Sequence, residues 1–136
     1  MSEELIPPEN LSKELLKDVF DAAFMDASFD EDGDLKVKDQ VTWYVCPSEK
    51  RDRIRLLAQF AFEPSTSELE RLECANHIND EYTIVRASVG KNDRLRSSYD
   101  IPTAGGVTKK ALVLTLKRFC SVPQEAVREY GQDTVQ

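Results

Sequence analysis

One ten-residue stretch decides how this chain folds: Arg53-Ile54-Arg55-Leu56-Leu57-Ala58-Gln59-Phe60-Ala61-Phe62. The apolar residues that alternate along it, as in a β-strand, are Ile54, Leu56, Ala58, Phe60 and Phe62. A second set recurs at helical spacing and consists of Ile54, Leu57, Ala58 and Ala61. Leucine, alanine and glutamine also favour a helix. We interpret the stretch as a strand, because the phenylalanines then share one face and the strand completes a three-stranded meander.

The residues before this stretch predict a helix, a hairpin and a strand. Apolar side chains recur at helical spacing over residues 11 to 24, with Asn10 or Ser12 as the N-cap. Residues 29 to 37 alternate apolar and charged side chains around Gly33, which predicts a hairpin with a glycine turn. A second turn at residues 39 and 40 leads into residues 41 to 46, which are rich in strand-forming side chains.

The residues after it predict further helices and two more strands. Overlapping capping boxes over residues 65 to 70 begin a helix. The apolar residues expected on the buried stripe of that helix are Leu69, Leu72, Ala75 and Ile78. Residues 82 to 89 and 95 to 101 alternate as strands, joined by a loop over residues 90 to 93. Beyond Gly105 and Gly106, Thr108 caps another helix, and a short last helix begins near Pro123.

Strands that occur in runs between helices predict an α+β fold with a mostly antiparallel, five-stranded sheet and flanking helices. The expected order is α-βββ-α-ββ-α-α. We expect residues 1 to 9 to be a flexible lead-in, residues 10 to 130 to form a single domain, and residues 131 to 136 to fray. A chain of 136 residues with 40% apolar and 32% charged side chains is sufficient for one globular core.

Composition also indicates where the protein works and what it binds. No apolar run reaches the length needed to span a membrane, and the acidic, proline-broken N-terminus does not resemble a signal peptide, which predicts a cytoplasmic protein. Cys46, Cys74 and Cys120 are odd in number and lack C-x-x-C spacing, so we expect free thiols. The net charge of −7 disfavours nucleic acid and membrane surfaces and favours a protein partner.

Three aspartates lie in the predicted hairpin turn: Asp30, Asp32 and Asp34. With Ser28 at the first position of a calcium-binding loop, Gly33 falls at the sixth and Asp39 at the twelfth. The first ligand is then a serine, the usual bidentate glutamate is a shorter aspartate, and a strand follows where a helix should. We therefore predict a solvated hairpin tip without a metal ion.

Cys74 and His77 are spaced i, i+3 on a predicted helix, where they could act as two metal ligands or as a thiol and its base. A structural zinc site needs four ligands, and a nucleophilic thiolate needs an electropositive setting. The residues around this pair are acidic: Glu70, Glu73, Asp80 and Glu81. We predict a buried thiol beside a surface histidine.

Other chemistries lack their motifs. The sequence contains no G-x-S-x-G, H-E-x-x-H or P-loop motif, and its carboxylate pairs lie in charged, solvated runs. Gly105 and Gly106 lack the further glycines of a phosphate-binding loop. We therefore predict no catalytic, cofactor-binding or metal-binding residue, no small-molecule substrate, and no enzyme activity; an enzyme with a carboxylate site that the sequence does not localise is the least favoured alternative.

Two basic clusters support an alternative function in nucleic-acid binding. The first consists of Lys50, Arg51, Arg53 and Arg55, and the second of Lys91, Arg94 and Arg96. Together with Trp43 and Tyr44 they could combine phosphate contacts and base stacking. We favour the alternative interpretation that these charges are the solvent faces of strands.

The chain resembles the YbjN family of bacterial proteins, described as "putative" sensory transduction regulators. The resemblance lies in residues 72 to 79 (Leu-Glu-Cys-Ala-Asn-His-Ile-Asn), in the strand over residues 82 to 89 and in residues 96 to 102 (Arg-Ser-Ser-Tyr-Asp-Ile-Pro). It continues in residues 105 to 108 (Gly-Gly-Val-Thr), and residues 29 to 35 resemble the first hairpin of the family.

This resemblance implies a fold like that of class I type III secretion chaperones, with a curved antiparallel sheet, flanking helices and frequent dimers. It also supports the strand over residues 53 to 62, and it suggests structural roles for Asn76, Gly105 and Gly106. It brings no catalytic residue, cofactor or metal. Our leading hypothesis is a regulatory or chaperone-like protein-binding module that forms a possible homodimer, with its partner and its binding surface unknown.

Overall fold

A computed structural model describes residues 5–39, 41–81, 86–90, 94–119 and 135 of the chain. The short elements at the start are β1 (Leu5–Ile6) and one turn of 3-10 helix (Pro8–Asn10). The helices are α1 (Lys13–Ala22), α2 (Glu68–Glu81) and α3 (Lys109–Phe119). The remaining strands are β2 (Asp26–Phe29), β3 (Leu35–Lys38), β4 (Thr42–Pro47), β5 (Arg53–Ala61), β6 (Arg86–Val89), β7 (Arg94–Pro102) and β8 (Val107–Thr108).

The main sheet has six strands in the order β2-β3-β4-β5-β7-β6, and a separate pair joins β1 to β8. The strand predicted over residues 53 to 62 is confirmed as β5, and the α+β class with an antiparallel sheet is confirmed. The sheet has one strand more than the five predicted, because β2 pairs with β3 along its whole length, from Asp26 opposite Lys38 to Phe29 opposite Leu35. The hairpin therefore supplies two strands.

The chain divides into two compact units, Met1–Leu56 with Asp100–Cys120 and Leu57–Tyr99 with Ser121–Gln136. That residues 10 to 130 form one domain stays a prediction. The short helix expected from residue 121 lies outside the described residues, as do Cys120 and Lys91. Among the described residues, none of the helices is long and apolar enough to cross a membrane.

The core of the first unit forms where α1 and α3 bury one stripe each. Ser12 caps α1 by accepting a hydrogen bond from the backbone N–H of Leu15 at 3.0 Å, and Thr108 caps α3 by accepting one from Ala111 at 3.0 Å. The rings of Trp43 and Phe119 meet edge to face, with centroids 6.2 Å apart. The other fully buried large side chains of this unit are Leu11, Leu16, Phe20, Leu35, Val37, Ile54, Leu56 and Leu116.

The lead-in expected over residues 1 to 9 takes part in the fold from Leu5 onward. β1 pairs antiparallel with β8, with Leu5 opposite Thr108, and Ile6 is 4% exposed. Gly106 has a φ of 92° and makes this approach possible, because a Cβ there would lie 2.9 Å from Cγ of Leu5. The sequence pattern missed this strand because two residues are too few to show a periodicity.

The second unit has its own core, formed by α2 over part of the sheet. Its buried members are Phe62, Cys74, Ala75, Ile78, Ala87, Leu95 and Val135. Val135 forms an isolated antiparallel bridge with Phe62, and the fraying expected over residues 131 to 136 stays a prediction. Ser67 and Glu70 form the predicted capping box, since each accepts a hydrogen bond from the other's backbone N–H at 3.1 Å.

The buried stripe predicted for α2 is half wrong. Ala75 and Ile78 are buried as expected, whereas Leu69 is 65% and Leu72 48% exposed. The helix instead turns Cys74 into the core, since Cys74, Ala75 and Ile78 lie at i, i+1 and i+4. Two leucines of α2 therefore lie in solvent.

Asn79 joins the end of α2 to the edge strand β6. Its side-chain amide donates a hydrogen bond to the carbonyl oxygen of Ala87 at 2.8 Å, and its side-chain oxygen accepts one from the Ala87 N–H at 2.7 Å. The asparagine of this segment with hydrogen bonds to β6 is therefore Asn79, whereas the sequence suggested a structural role for Asn76.

We expect Asn79→Ala to lower the free energy of unfolding by about 1–3 kcal/mol, because it leaves two backbone groups of Ala87 without their partner. Urea unfolding followed by circular dichroism measures the loss. Asn76→Ala, three residues earlier on the same helix, is the matched control and should change the stability by less than about 0.5 kcal/mol. Equal losses in the two variants would contradict the assignment.

Candidate functional site

An apolar groove with a volume of about 540 Å³ lies between α1 and α3. From α1 and its C-terminal end it is lined by Leu15, Asp18, Val19, Ala22 and Ala23. From α3 it is lined by Lys109, Lys110, Val113 and Leu114. We call this feature the α1–α3 groove.

Helical spacing explains why the groove is apolar. The α1 lining residues lie at i, i+3, i+4 and i+7, next to the stripe of Leu16 and Phe20 that faces the core. On α3, Leu112 and Leu116 are buried, while Leu114 on the neighbouring face stays 54% exposed. On each helix the apolar stripe is therefore wider than the part that packs into the core. The remaining apolar side chains of both helices face the groove.

The rim of the α1–α3 groove carries two positive charges at the start of α3, where the helix dipole disfavours them. Lys109 and Lys110 are the first two residues of α3, and no acidic residue lies in its first turn. The N-terminus of a helix already carries a partial positive charge, so two lysines there raise the local positive potential. In a chain with a net charge of −7, these two lysines make the start of α3 locally basic.

Phe24 lies at the end of α1, directly after the groove residue Ala23. The Met25 N–H donates to the Phe20 carbonyl at 3.0 Å and the Phe24 N–H donates to the Asp21 carbonyl at 3.0 Å, which is the Schellman pattern. The position held by Phe24 is usually glycine, because its backbone is left-handed; here φ is 61°. Phe24 is 99% exposed, so its ring lies in solvent and the Schellman hydrogen bonds alone support this conformation.

The aspartates of the β2–β3 turn form a cluster whose structure explains it without a ligand. Carboxylate oxygens of Asp30, Asp32 and Asp34 lie within 4.8 Å of one another. Asp30 accepts hydrogen bonds from the backbone N–H groups of Asp32 and Asp34, at 3.0 and 2.8 Å. The ammonium of Lys13 donates to the Gly33 carbonyl at 3.1 Å and lies 3.6 Å from Asp34. A lysine thus already supplies a cation to this turn.

The Cys74 and His77 pair is divided between core and solvent. Cys74 is 5% exposed, and burial raises the pKa of its thiol above the ordinary value, which disfavours the thiolate. His77 is exposed on the outer side of α2. Burial likewise raises the pKa of Cys46, and nearby Asp34 adds to this shift. For both thiols burial is the largest cause of the shift, and it acts against the thiolate.

Two of the four residues of the first basic cluster, Arg51 and Arg55, make contacts within the protein. Arg55 forms a bidentate ion pair with Asp100, at 2.8 and 3.2 Å, and this hydrogen-bonded pair raises the pKa of the guanidinium further. Arg51 donates to the Glu9 carbonyl at 3.2 Å. Trp43, the expected stacking residue, is fully buried against Phe119. The nucleic-acid hypothesis therefore loses its main aromatic residue.

Asp52 and the Gly105–Gly106 pair both take part in local turns. The Ser48 hydroxyl donates to Asp52 at 2.7 Å and lowers the pKa of that carboxyl, the opposite of what a general acid at neutral pH needs. Gly105 and Gly106 have φ values of 80° and 92°, and Leu5 fills the space beside Gly106. This glycine pair therefore serves the turn and the approach of β1.

Comparison with known proteins places the chain in a family. The model of the YbjN family, with the description "Putative bacterial sensory transduction regulator", matches residues 12 to 130. The chain belongs to the YbjN family. None of the curated proteins matches the sequence.

Solved structures show the same fold at low sequence identity. YbjN from E. coli, described as a "putative transcription regulator", aligns with a TM-score of 0.76 and 14% identity, over 93% of this chain and 96% of that one. The HopA1–SchA chaperone–effector complex aligns with a TM-score of 0.58 and 18% identity, over 87% and 91%. The Yersinia pestis type III secretion chaperone SycH, in complex with a fragment of YscM2, gives 0.54 and 14%, over 85% and 97%. The fold implied by the resemblance to YbjN is confirmed.

The α1–α3 groove could not be predicted from the sequence, because a groove needs two helices at a known distance. A signal was nevertheless present in the α1 sequence, since Leu15 and Val19 widen the stripe formed by Leu16 and Phe20. Adjacent lysines at the start of α3 were a second signal, because the first helical turn favours acidic residues.

We expect Phe24→Gly to be more stable than Phe24→Ala by about 0.5–1 kcal/mol, since both remove the ring and only glycine relieves the left-handed backbone. Chemical denaturation of the two variants measures this difference, and the alanine variant serves as the control for loss of the side chain. Equal stabilities would show that the Phe24 backbone is unstrained.

We expect the Cys74 thiol to react more slowly with iodoacetamide in the folded chain than in urea at pH 8, because burial shields the sulfur and disfavours the thiolate. Mass spectrometry of the Cys74 peptide over time gives both rates from one protein. Faster alkylation in the folded state would indicate an activated Cys74–His77 pair.

Proposed function

We propose that this YbjN-family protein is a non-enzymatic protein-binding module, regulatory or chaperone-like, that holds an apolar segment of a partner protein in the α1–α3 groove. The observation that carries the proposal is the groove itself, formed by two apolar stripes and open to solvent. The proposal keeps the expected cytoplasmic location and assigns no cofactor, metal or small-molecule substrate.

The groove chemistry specifies the partner segment. Val19, Ala22, Val113 and Leu114 offer an apolar surface to leucine-like side chains. Lys109 and Lys110 at the rim favour an aspartate or glutamate on the same segment, since the α3 dipole adds to their charge. We therefore propose an amphipathic segment whose polar residues are acidic.

Phe24 adds an anchor beside the groove. A phenylalanine that is 99% exposed in a position suited to glycine lowers the stability of the free chain. An aromatic ring that packs on a partner contributes strongly to binding, which would offset that cost in the complex.

The structural neighbours support protein binding over nucleic-acid binding. SchA and SycH are chaperones seen in complexes with other proteins. E. coli YbjN is described as a "putative transcription regulator", but in this chain Trp43 is buried and Arg55 is paired with Asp100. A regulatory role would therefore act through a protein partner.

The groove proposal predicts binding of a synthetic helical peptide with leucines on one face and glutamates on the other. Fluorescence anisotropy should give a saturable titration with the wild-type chain. Lys109→Glu with Lys110→Glu should weaken it about tenfold, because two attractive charges become repulsive. Lys36→Glu with Lys38→Glu on β3 makes the same change in net charge and should leave the affinity unchanged.

Absence of binding, or an equal loss in both lysine pairs, would contradict the groove as the site. The proposal also includes the homodimer that the family resemblance implies, and light scattering measures it directly. If Leu114→Arg converts a dimer into a monomer, the groove holds a second copy of the chain, and the partner-segment proposal is wrong.

A further inference from the structure

The outward face of α2 carries two leucines that the core does not use. Leu69 is 65% and Leu72 48% exposed, although both are large apolar side chains on a well-formed helix. They lie at i and i+3, and Asn76 continues the same line at i+7, so the three residues share one face. Cys74, Ala75 and Ile78 form the opposite, buried face.

Acidic side chains flank this leucine pair on both sides. Glu68 lies four residues before Leu72 and Glu73 lies four residues after Leu69, so each leucine has a carboxylate as its helical neighbour. The exposed carboxylates of α2 are Glu68, Glu70, Glu73, Asp80 and Glu81. We call Leu69, Leu72 and these carboxylates the α2 acidic face.

The end of α2 adds to the negative potential. Asp80 and Glu81 lie in the last turn, which contains no basic residue and where the helix dipole is itself negative. The basic residue near the start of α2, Arg71, lies over the ring of Phe62 at 5.1 Å and donates to the Thr66 hydroxyl at 2.8 Å. Its charge is therefore held toward the second-unit core.

We propose that the α2 acidic face binds a basic amphipathic helix of a partner protein, at a site separate from the α1–α3 groove. Apolar side chains of that helix would pack on Leu69 and Leu72, while its lysines or arginines meet Glu68, Glu73 and Asp80. A second copy of this chain is disfavoured on this face, because two such faces would bring like charges together.

A synthetic peptide with leucines on one helical face and lysines on the other tests this site on the full chain. Anisotropy should show saturable binding that weakens with added salt. Leu69→Ser with Leu72→Ser should weaken it about tenfold, because the pair of exchanges removes the apolar surface on which the peptide leucines pack. Glu68→Lys with Glu73→Lys should weaken it at least as much.

Two controls separate recognition from general attraction to an acidic protein. Glu31→Lys with Asp32→Lys, both exposed in the β2–β3 turn, changes the net charge equally and should leave the affinity unchanged. A peptide that keeps its lysines but has serines for leucines should bind at least tenfold less tightly, about 1.4 kcal/mol. Circular dichroism melting shows that each variant is folded.

Equal effects of the α2 and turn charge reversals, or equal binding of the serine peptide, would overturn the proposal in favour of unspecific charge attraction. Conversion of a dimer into a monomer by Leu69→Ser and Leu72→Ser would overturn it in favour of a second copy. Because the groove test uses an acidic peptide and variants on α3, failure of one proposal leaves the other measurable.

Discussion

The edge-to-face contact between Trp43 and Phe119 holds α3 in place, and the proposed binding site depends on it. Phe119 is the last residue of α3, and its ring reaches a tryptophan that the sheet buries completely. Leu112 and Leu116 extend the same buried stripe toward the start of the helix. With α3 fixed along this line, its neighbouring stripe faces α1 across the groove. The groove is therefore a by-product of core packing and needs no dedicated loop.

Sequence patterns predicted which residues form helices and strands better than they predicted which side chains of those elements are buried. Residues 53 to 62 fit a helix and a strand about equally, and what decides in the folded chain is that β5 has a strand on each side, β4 and β7. The burial predicted for Leu69 and Leu72 was wrong because periodicity predicts an apolar stripe but not which part of it is buried. In the structure Cys74 belongs to the buried face of α2, and both leucines lie outside that face. β1 could not be found at all, since its support comes from Val107 and Thr108, about a hundred residues away in sequence.

The candidate surfaces were harder to predict than the fold, for a physical reason. Catalytic sites leave recognisable residue combinations, whereas a binding surface is defined by what remains exposed after packing. α2 and α3 nevertheless share one property visible in the sequence. Each carries charge of the sign that its own helix dipole disfavours, Lys109 and Lys110 at the start of α3 and Asp80 and Glu81 at the end of α2. Such local conflicts are expected where function competes with stability.

The pairing of β1 with β8 has a practical consequence for work on this protein. Leu5 lies opposite Thr108 in an antiparallel ladder, and Thr108 is followed directly by Lys109, the first residue of α3. A purification tag or fusion partner joined to the N-terminus is separated from Leu5 by only four residues of sequence, which puts it within reach of the basic rim of the groove. An acidic tag would compete with a ligand there, and its removal should precede any binding measurement.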